Sequence, residues 1–405
     1  MIKELTMEIK KLKDIGLIFN GNSINATVKK EKYLNIEDGL PYIATKDVNY
    51  KSIINYDNGV RIPFIEKENF KIAPKNTILI CAEGGSAGRK IGFTKQEVCF
   101  GNKLFAFTPN SKTDSKYVYY FYFSNSFQKT FHSQMTGIIG GVSMNKFKNL
   151  EIPLPPLPQQ KQIVATLDKA FAFIDTAKAN AEQNLLNAKE LFESCLQNVF
   201  ENKGDDWEEK TLKQISDDFG RGKSKHRPRN DKKLYGGNYP FIQTGDIRNS
   251  EHFITDYSQT YNEIGLAQSK LWPKGTICIT IAANIAETGI LSFDACFPDS
   301  VIGIVVDNKQ AEIDYVEYLL QYFKVNIQSL SQGSAQENIN LGTFEGKLFP
   351  FALLEEQKKI VDKLDALSSE CKKLETIYNQ KITDLEEIKK SVLQKAFSGQ
   401  LSTIN

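Results

Sequence analysis

The side chains best equipped to hold another molecule are basic and clustered. Arg221, Lys223, Ser224, Lys225, His226, Arg227 and Arg229 fall within nine positions, and Lys232 and Lys233 follow. Arginine can grip guanine bidentately in a groove, while lysine and serine can hold phosphate oxygens. Such a run suits DNA; its plain alternative is a solvated basic loop. Ser86, Arg89 and Lys90 lie on a Gly-rich turn whose amides could approach phosphate, although an ordinary hairpin has the same composition. Lys46 with Asp47, and Thr244 with Asp246, stand where apolar runs end, as turn caps or as base contacts. Ser143 and Asn145, with Asn338 and Asn340, complete the set. Asparagine can read adenine, but it also favours loops.

Residues for covalent or acid–base chemistry are scarce. Pro155-Pro156 is flanked by leucines and lacks the Asp or Asn partner that an adenine methyltransferase needs to grip a flipped base. Gly84–Lys90 misses the spacing of a phosphate loop, and GIIGG at 137–141 is not GxGxxG. Pro298-Asp299 lacks the acidic and lysine partners of a nuclease centre. The three histidines, at 132, 226 and 252, show no metal-ligand spacing. Six cysteines form no CxxC pair; Cys99 and Cys296, each followed by Phe, read as small core side chains. The expectation is a binding protein with no catalytic centre, metal or cofactor of its own.

The elements that must position these residues come from a chain of 405 residues, 41% apolar and 25% charged, enough for two or three globular domains. Its 51 basic and 49 acidic side chains leave a net charge of +2, which excludes a uniformly basic coat. Any nucleic-acid contact must therefore come from local patches. No apolar run approaches the roughly 18 residues of a membrane span, and MIKELTMEIKKLKDI has no signal-peptide character. A cytoplasmic location without a membrane partner is expected.

The chain repeats itself. EIKKLKDI (8–15) pairs with EEKTLKQI (208–215), LPYIATKDV (40–48) with YPFIQTGDI (239–247), and IAPKNTILIC (72–81) with LWPKGTICIT (271–280). VCFGNKL (98–104) pairs with ACFPDSV (295–301), and KYVYYF (116–121) with DYVEYL (314–319). LPPLPQQKQIVATLD (154–168) answers FALLEEQKKIVDKLD (351–365), and SCLQNVF (194–200) answers SVLQKAF (391–397). Two copies of one module have diverged within one chain. Residues 1–150 and 206–350 mix short alternating runs, such as Thr77–Cys81 and Thr276–Thr280, with aromatic segments at Tyr117–Phe123 and Tyr315–Phe323. They read as α+β.

Residues 151–205 and 351–405 are helical in pattern. Ile163, Leu167, Ala170, Ile174, Ala177, Ala181, Leu185, Ala188, Phe192 and Cys195 step by three and four. The second copy runs Ile360, Leu364, Leu367, Cys371, Leu374, Tyr378, Ile382, Leu385 and Val392. Both carry the same extra four-residue step, a stutter in a heptad seam. Alanines in one seam face the larger residues of the other, as in two helices packed together. A helix of 45 residues is ~67 Å long. The order globule–helix–globule–helix then predicts an antiparallel coiled-coil spacer with pseudo-twofold symmetry; the alternative is that each helix covers its own globule. The helical stretches hold 14 basic and 17 acidic groups against 37 and 32 elsewhere, which points to the globules as the DNA face. Lys178, Glu182, Lys372 and Lys373 are expected on the exposed helix faces, where partners would dock.

Two related heads on a stiff spacer suit two half-sites at fixed separation, and their divergence suits unequal half-sites. Over its whole length the chain resembles the specificity subunits of type I restriction-modification systems. The residues that carry this are IPLPPLPQQKQIVATLD, the TGDI segment at 244–247 and the exit SVLQKAFSGQL (391–401). The first helix departs from that exit, ending in ENKGDDW (201–207). The resemblance implies two target-recognition domains, each reading one half-site of double-stranded DNA. It also implies helices that dock two modification (methyltransferase) subunits, which bind S-adenosylmethionine and methylate adenine. Restriction (motor-nuclease) subunits using ATP and Mg would join them. A DNA-binding scaffold or regulator of the same architecture, without a methyltransferase, is the rival reading; an enzyme acting alone is disfavoured.

Overall fold

The computed structural model describes residues 7–138, 140–225, 228–282, 285–330 and 341–400. They form two compact units, 1–182 with 380–405, and 183–379. In the first, one sheet orders its strands Gly16–Asn20, Leu104–Pro109, Ile78–Cys81 and Ile91–Phe93; a second orders Arg61–Ile62, Leu40–Ile43, Val98–Phe100 and Ile72–Ala73. The second unit repeats both orders. Its first sheet runs Ser216–Arg221, Val301–Val306, Ile277–Thr280 and Thr288–Leu291, then adds Phe253–Ile254. Its other sheet runs Gln259–Tyr261, Tyr235–Phe241, Ala295–Cys296 and Leu271–Trp272.

Side-chain alternation explains why the central strands read as continuous apolar runs. Ile78 and Ile80 enter the core shared with the helices, whereas Leu79 and Cys81 enter the core against the other sheet. Ile277 and Ile279 divide from Cys278 in the same way. A strand covered on both faces has no solvent side to make polar. An antiparallel ribbon closes each domain, Glu8–Lys11 with Glu151–Leu154 and Glu208–Thr211 with Leu348–Phe351.

From these ribbons start the long helices, Leu157–Glu201 and Leu354–Phe397. Pro158 is tolerated in the first turn because its missing N–H would have no partner there. Gly399, at φ +78°, stops the second helix by turning left-handed while the Gln400 N–H donates to the Lys395 carbonyl (3.1 Å). Every predicted seam position is buried or half-buried, the stutter included. The pairing is antiparallel, since rising numbers in one helix meet falling numbers in the other. Asp175 bonds Lys389 (2.7 Å) and Lys178 bonds Glu386 (2.5 Å) in the first unit. In the second, Phe192 and Cys195 adjoin Cys371. Lys178 is thus a cross-helix partner rather than a free face, a correction to its expected role. Lys372 reaches Glu251 of the second domain (2.6 Å), and Lys373 pairs with Glu370 (2.7 Å).

The helices also complete the globular cores, so both sequence alternatives are realised. Phe397 packs edge-on against Tyr117 and Phe121, with centroids at 5.1 and 5.3 Å, beside Leu393 and Ala396. Its repeat counterpart, Phe200, packs on Tyr315 (5.5 Å) and Tyr322 (5.4 Å). Further paired contacts fasten each aromatic segment to its long helix. Buried Gln160 accepts from Asp114 N–H (2.8 Å) as Gln357 does from Glu312 N–H (2.9 Å). The hydroxyls of Tyr120 and Tyr318 donate to Asp168 and Asp365.

Candidate nucleic-acid interface

In the second domain the strand Ser216–Arg221 delivers the basic stretch. Gly222 follows because a Cβ there would lie 2.2 Å from the Phe297 carbonyl oxygen, so only glycine lets the two backbones approach. Ser269 Oγ donates to the Lys223 carbonyl (2.8 Å), and Tyr235 OH donates to that of Arg229 (2.6 Å). Both ends of the stretch are therefore pinned to the scaffold. Arg221 Nε donates to the Asp299 carbonyl (2.6 Å), while Arg229 Nη2 donates to the Asp299 carboxylate (2.6 and 2.8 Å). Lys223 and Lys225 are exposed and Ser224 is buried. His226 and Arg227 lie outside the described residues, as do Asn338 and Asn340.

A cleft of about 690 Å³ opens at this stretch. It is lined by Ser224, Arg229 and Thr244, with Gln243, Gln259 and Ser300. With Lys232, four residues singled out in the sequence thus share one concavity with amide side chains and a hydroxyl. Asp246 does not present its carboxylate there. It accepts from the Gln243 N–H (2.8 Å) and from Ser258 Oγ (3.2 Å). Asp47, its counterpart, accepts from the Ala44 N–H (2.8 Å). Both carboxylates close a turn, the turn-capping alternative that the sequence left open.

The first domain builds its cationic surface differently. Ser86, Arg89 and Lys90 gather around Tyr50, a half-exposed aromatic with no counterpart among the sequence candidates. Its hydroxyl is 3.2 Å from Ser86 Oγ, and the Arg89 and Lys90 cations lie 5.4 and 5.2 Å from its ring centroid. Stacking with cations of this kind orients the charges and leaves part of the ring face for another planar group. Lys90 Nζ also donates to the Thr45 carbonyl (3.2 Å), which brings exposed Lys46 beside the cluster. Asn49 fixes the Tyr50 loop by accepting from the N–H groups of Lys51 and Ile53, both 2.9 Å. That Asn-x-Lys spacing was the one local signal for it.

Ser143 and Asn145 adjoin the same turn. Gly84 N–H donates to the Gly140 carbonyl (2.7 Å), and Val142 N–H to that of Ala82 (2.9 Å). Ser143 itself caps the short helix Met144–Lys148 by accepting from Lys146 N–H (3.3 Å); Asn145 is exposed on it.

Of the remaining reactive types, Cys99 and Cys296 are buried on equivalent strands, and burial pushes the Cys99 thiol up to about 12. His252 lies between Glu317 (Nδ1, 2.7 Å) and Asp314 (Nε2, 2.9 Å), stacked on Tyr318. Burial pulls its pKa down, but the two carboxylates outweigh this and hold it at about 9. Glu317 is itself fully buried, and it also accepts from Thr288 Oγ1 (2.7 Å) and Gln321 Nε2 (2.9 Å). Each member of this network is thus bonded to another side chain within it.

Two copies of one α+β module, each presenting cationic loops and each completed by an antiparallel pair of helices, define a duplicated DNA-recognition fold. The chain belongs to the family described as type I restriction modification DNA specificity domain, whose model matches twice, at residues 4–187 and 204–384. It is a type I restriction-modification specificity subunit, the part of such systems that recognises DNA sequence. The type I restriction enzyme StySPI specificity subunit of Salmonella potsdam is 23% identical, over 93% of this chain and 86% of its own. The MjaVIII specificity subunit of Methanocaldococcus jannaschii is 26% identical, over 91% and 88%. The fold matches a chain from a solved type I R-M system (TM-score 0.76, 17% identity, 98% and 99% covered). It also matches the HsdS subunit of Thermoanaerobacter tengcongensis (TM-score 0.64, 18% identity, 98% and 97% covered). Among the described residues, no helix is long and apolar enough to cross a membrane.

Proposed function

We propose that the chain reads an asymmetric bipartite site on double-stranded DNA, one half-site per domain, and has no catalytic step of its own. The observation that carries this reading is the pairing of a strand-by-strand duplicated scaffold with two unlike cationic surfaces. One is the Tyr50 cluster with Lys46, Ser86, Arg89, Lys90, Ser143 and Asn145. The other is the cleft at Arg221–Arg229 with Thr244. Equal scaffolds fix equal docking, and unequal loops fix unequal base preference. His226, Arg227, Asn338 and Asn340, outside the described residues, belong to the same DNA-binding set in this reading, and Asp246 shapes the second surface through its turn.

Two modification subunits dock on the long helices, where Phe173, Leu186, Leu191, Ile377 and Ile388 are exposed apolar residues. S-adenosylmethionine is bound by those partners, which methylate adenine; ATP and Mg belong to restriction subunits that cut unmodified DNA. The complex works in the cytoplasm. A genome-wide adenine methylation map of the source organism, with and without this chain, tests the reading. Loss of one motif made of two short, unlike half-sites around a fixed gap is the expected result. An unchanged map overturns it in favour of a DNA-binding scaffold without a methyltransferase.

A further inference from the structure

Asp299 occupies a position that the rest of the fold does not explain. It follows Pro298 at the rim of the cleft, where it serves no turn in the manner of Asp246. Its carbonyl takes Arg221 Nε and its carboxylate takes Arg229 Nη2. The Arg229–Asp299 pair is about half-exposed on both sides, so as an ion pair it contributes little to stability. Its effect is on geometry. A guanidinium carries five N–H donors in a rigid plane, and the carboxylate engages one nitrogen of three. The carboxylate contact favours one orientation of the guanidinium, on a backbone whose carbonyl accepts from Tyr235 OH.

The surroundings give that fixed plane a direction. Ser224, Gln243, Thr244 and Gln259 line the same concavity. The module's other copy has nothing equivalent, because Asn102 stands where Asp299 does in the repeat and the stretch Asn20–Lys32 carries no arginine. The device therefore belongs to one half-site alone.

We infer that Asp299 is a positioning residue that aims Arg229 at the O6/N7 edge of a guanine in the half-site read by the second domain. A bidentate arginine matches that edge better than any other base edge in the major groove. A fixed arginine loses less conformational freedom on binding than a mobile one. The Pro298-Asp299 pair thus acts in recognition rather than in cleavage. The inference rests on the bipartite reading above and names one base within it.

The test is selection of bound duplexes by the full chain, from a library with both half-sites randomised, for wild type, Arg229→Lys, Asp299→Ala and Asp299→Glu. Wild type should require guanine at one position of one half-site. Arg229→Lys, which keeps the charge but not the fork, should weaken that preference by about 5- to 100-fold. Asp299→Ala should weaken it at the same position by a smaller factor, and Asp299→Glu should recover part of it. The half-site read by the first domain must stay unchanged throughout, and unchanged preferences at the other positions of the second half-site certify that the second domain of each variant is folded. Uniformly altered affinity with unchanged base preferences would mean a phosphate contact for Arg229 and mere charge neutralisation by Asp299. That result overturns the inference while the bipartite reading stands. Selection of no bipartite motif by wild type overturns both.

Discussion

The two domains share a strand order and differ in what fills it. Behind the first sheet of domain one, Tyr119 lies edge-on to Phe93 (5.3 Å) and Phe123 (5.0 Å). The repeat places Glu317 where Tyr119 stands, and domain two builds a buried ionic network there with His252, Asp314, Thr288 and Gln321. On the proposed DNA-facing side the contrast continues, with cations on an aromatic in one domain and an arginine held by a carboxylate in the other. The invariants are the contacts of the framework: Phe397 and Phe200, Gln160 and Gln357, Tyr120–Asp168 and Tyr318–Asp365. These framework contacts are kept in both domains, while the side chains around them have diverged.

The sharpest way to break this parallel is to remove one of the paired phenylalanines. Phe397→Ala and Phe200→Ala each truncate a buried aromatic, at a cost of about 3–5 kcal/mol. Limited proteolysis should show Phe397→Ala opening residues 7–182 and Phe200→Ala opening residues 183–379. Equal opening of both regions by either variant would contradict separate cores.

Next come the matched glycines. An added Cβ would lie 1.9 Å from the Phe100 carbonyl oxygen at Gly21 and 2.2 Å from that of Phe297 at Gly222. Gly→Ala at either site should cost up to about 3 kcal/mol and abolish recognition of one half-site only. A selected-duplex experiment on each variant measures this directly.

The ionic network predicts a pH response in domain two alone. His252 has its pKa raised from 6.5 to about 9 in the fold. Its stabilisation is complete below about pH 6.5, where the imidazolium is present folded or unfolded. It declines as pH rises, and is lost once pH passes about 9 and the folded chain gives up the proton. The loss should be on the order of 3 kcal/mol. Urea midpoints of domain two at pH 6, 8 and 10 should fall in that order, and His252→Gln should flatten the trend.

The smallest effect concerns the helix pair. Lys389→Ala removes an exposed partner of Asp175 and should cost under about 1 kcal/mol, with the difference shrinking in high salt. A larger, salt-independent loss would show that its ammonium over the Phe171 ring, 4.9 Å from the centroid, matters more than its pairing with Asp175.

What the sequence made legible was periodic or local. The heptad seam and its stutter were read position by position, because helical burial repeats in the numbering itself. The central strands were readable from the short runs at Thr77–Cys81 and Thr276–Thr280, although these were read as alternating, and turn capping was one of two readings open for Asp47 and Asp246. Contacts between distant segments left no such trace. Nothing in the order of residues joins Tyr50 to Arg89, His252 to Glu317, or Arg229 to Asp299. The burial of Phe200 and Phe397 was likewise hidden, since a helix end carries the same pattern whether it frays into solvent or enters a core.

The placement of Phe397 has a consequence for how the protein is made. A ribosome delivers the chain from its amino terminus, at about 5–20 residues per second. The first domain is synthesised early but stays incomplete, because Leu393, Ala396 and Phe397 belong to its core. All of the second unit, residues 183–379, leaves the ribosome before those three do. Thus the domain translated first is the one finished last. A chain that stopped between residues 379 and 393 would keep all of the second unit and leave the first with an open aromatic core, exposed to proteases and to aggregation.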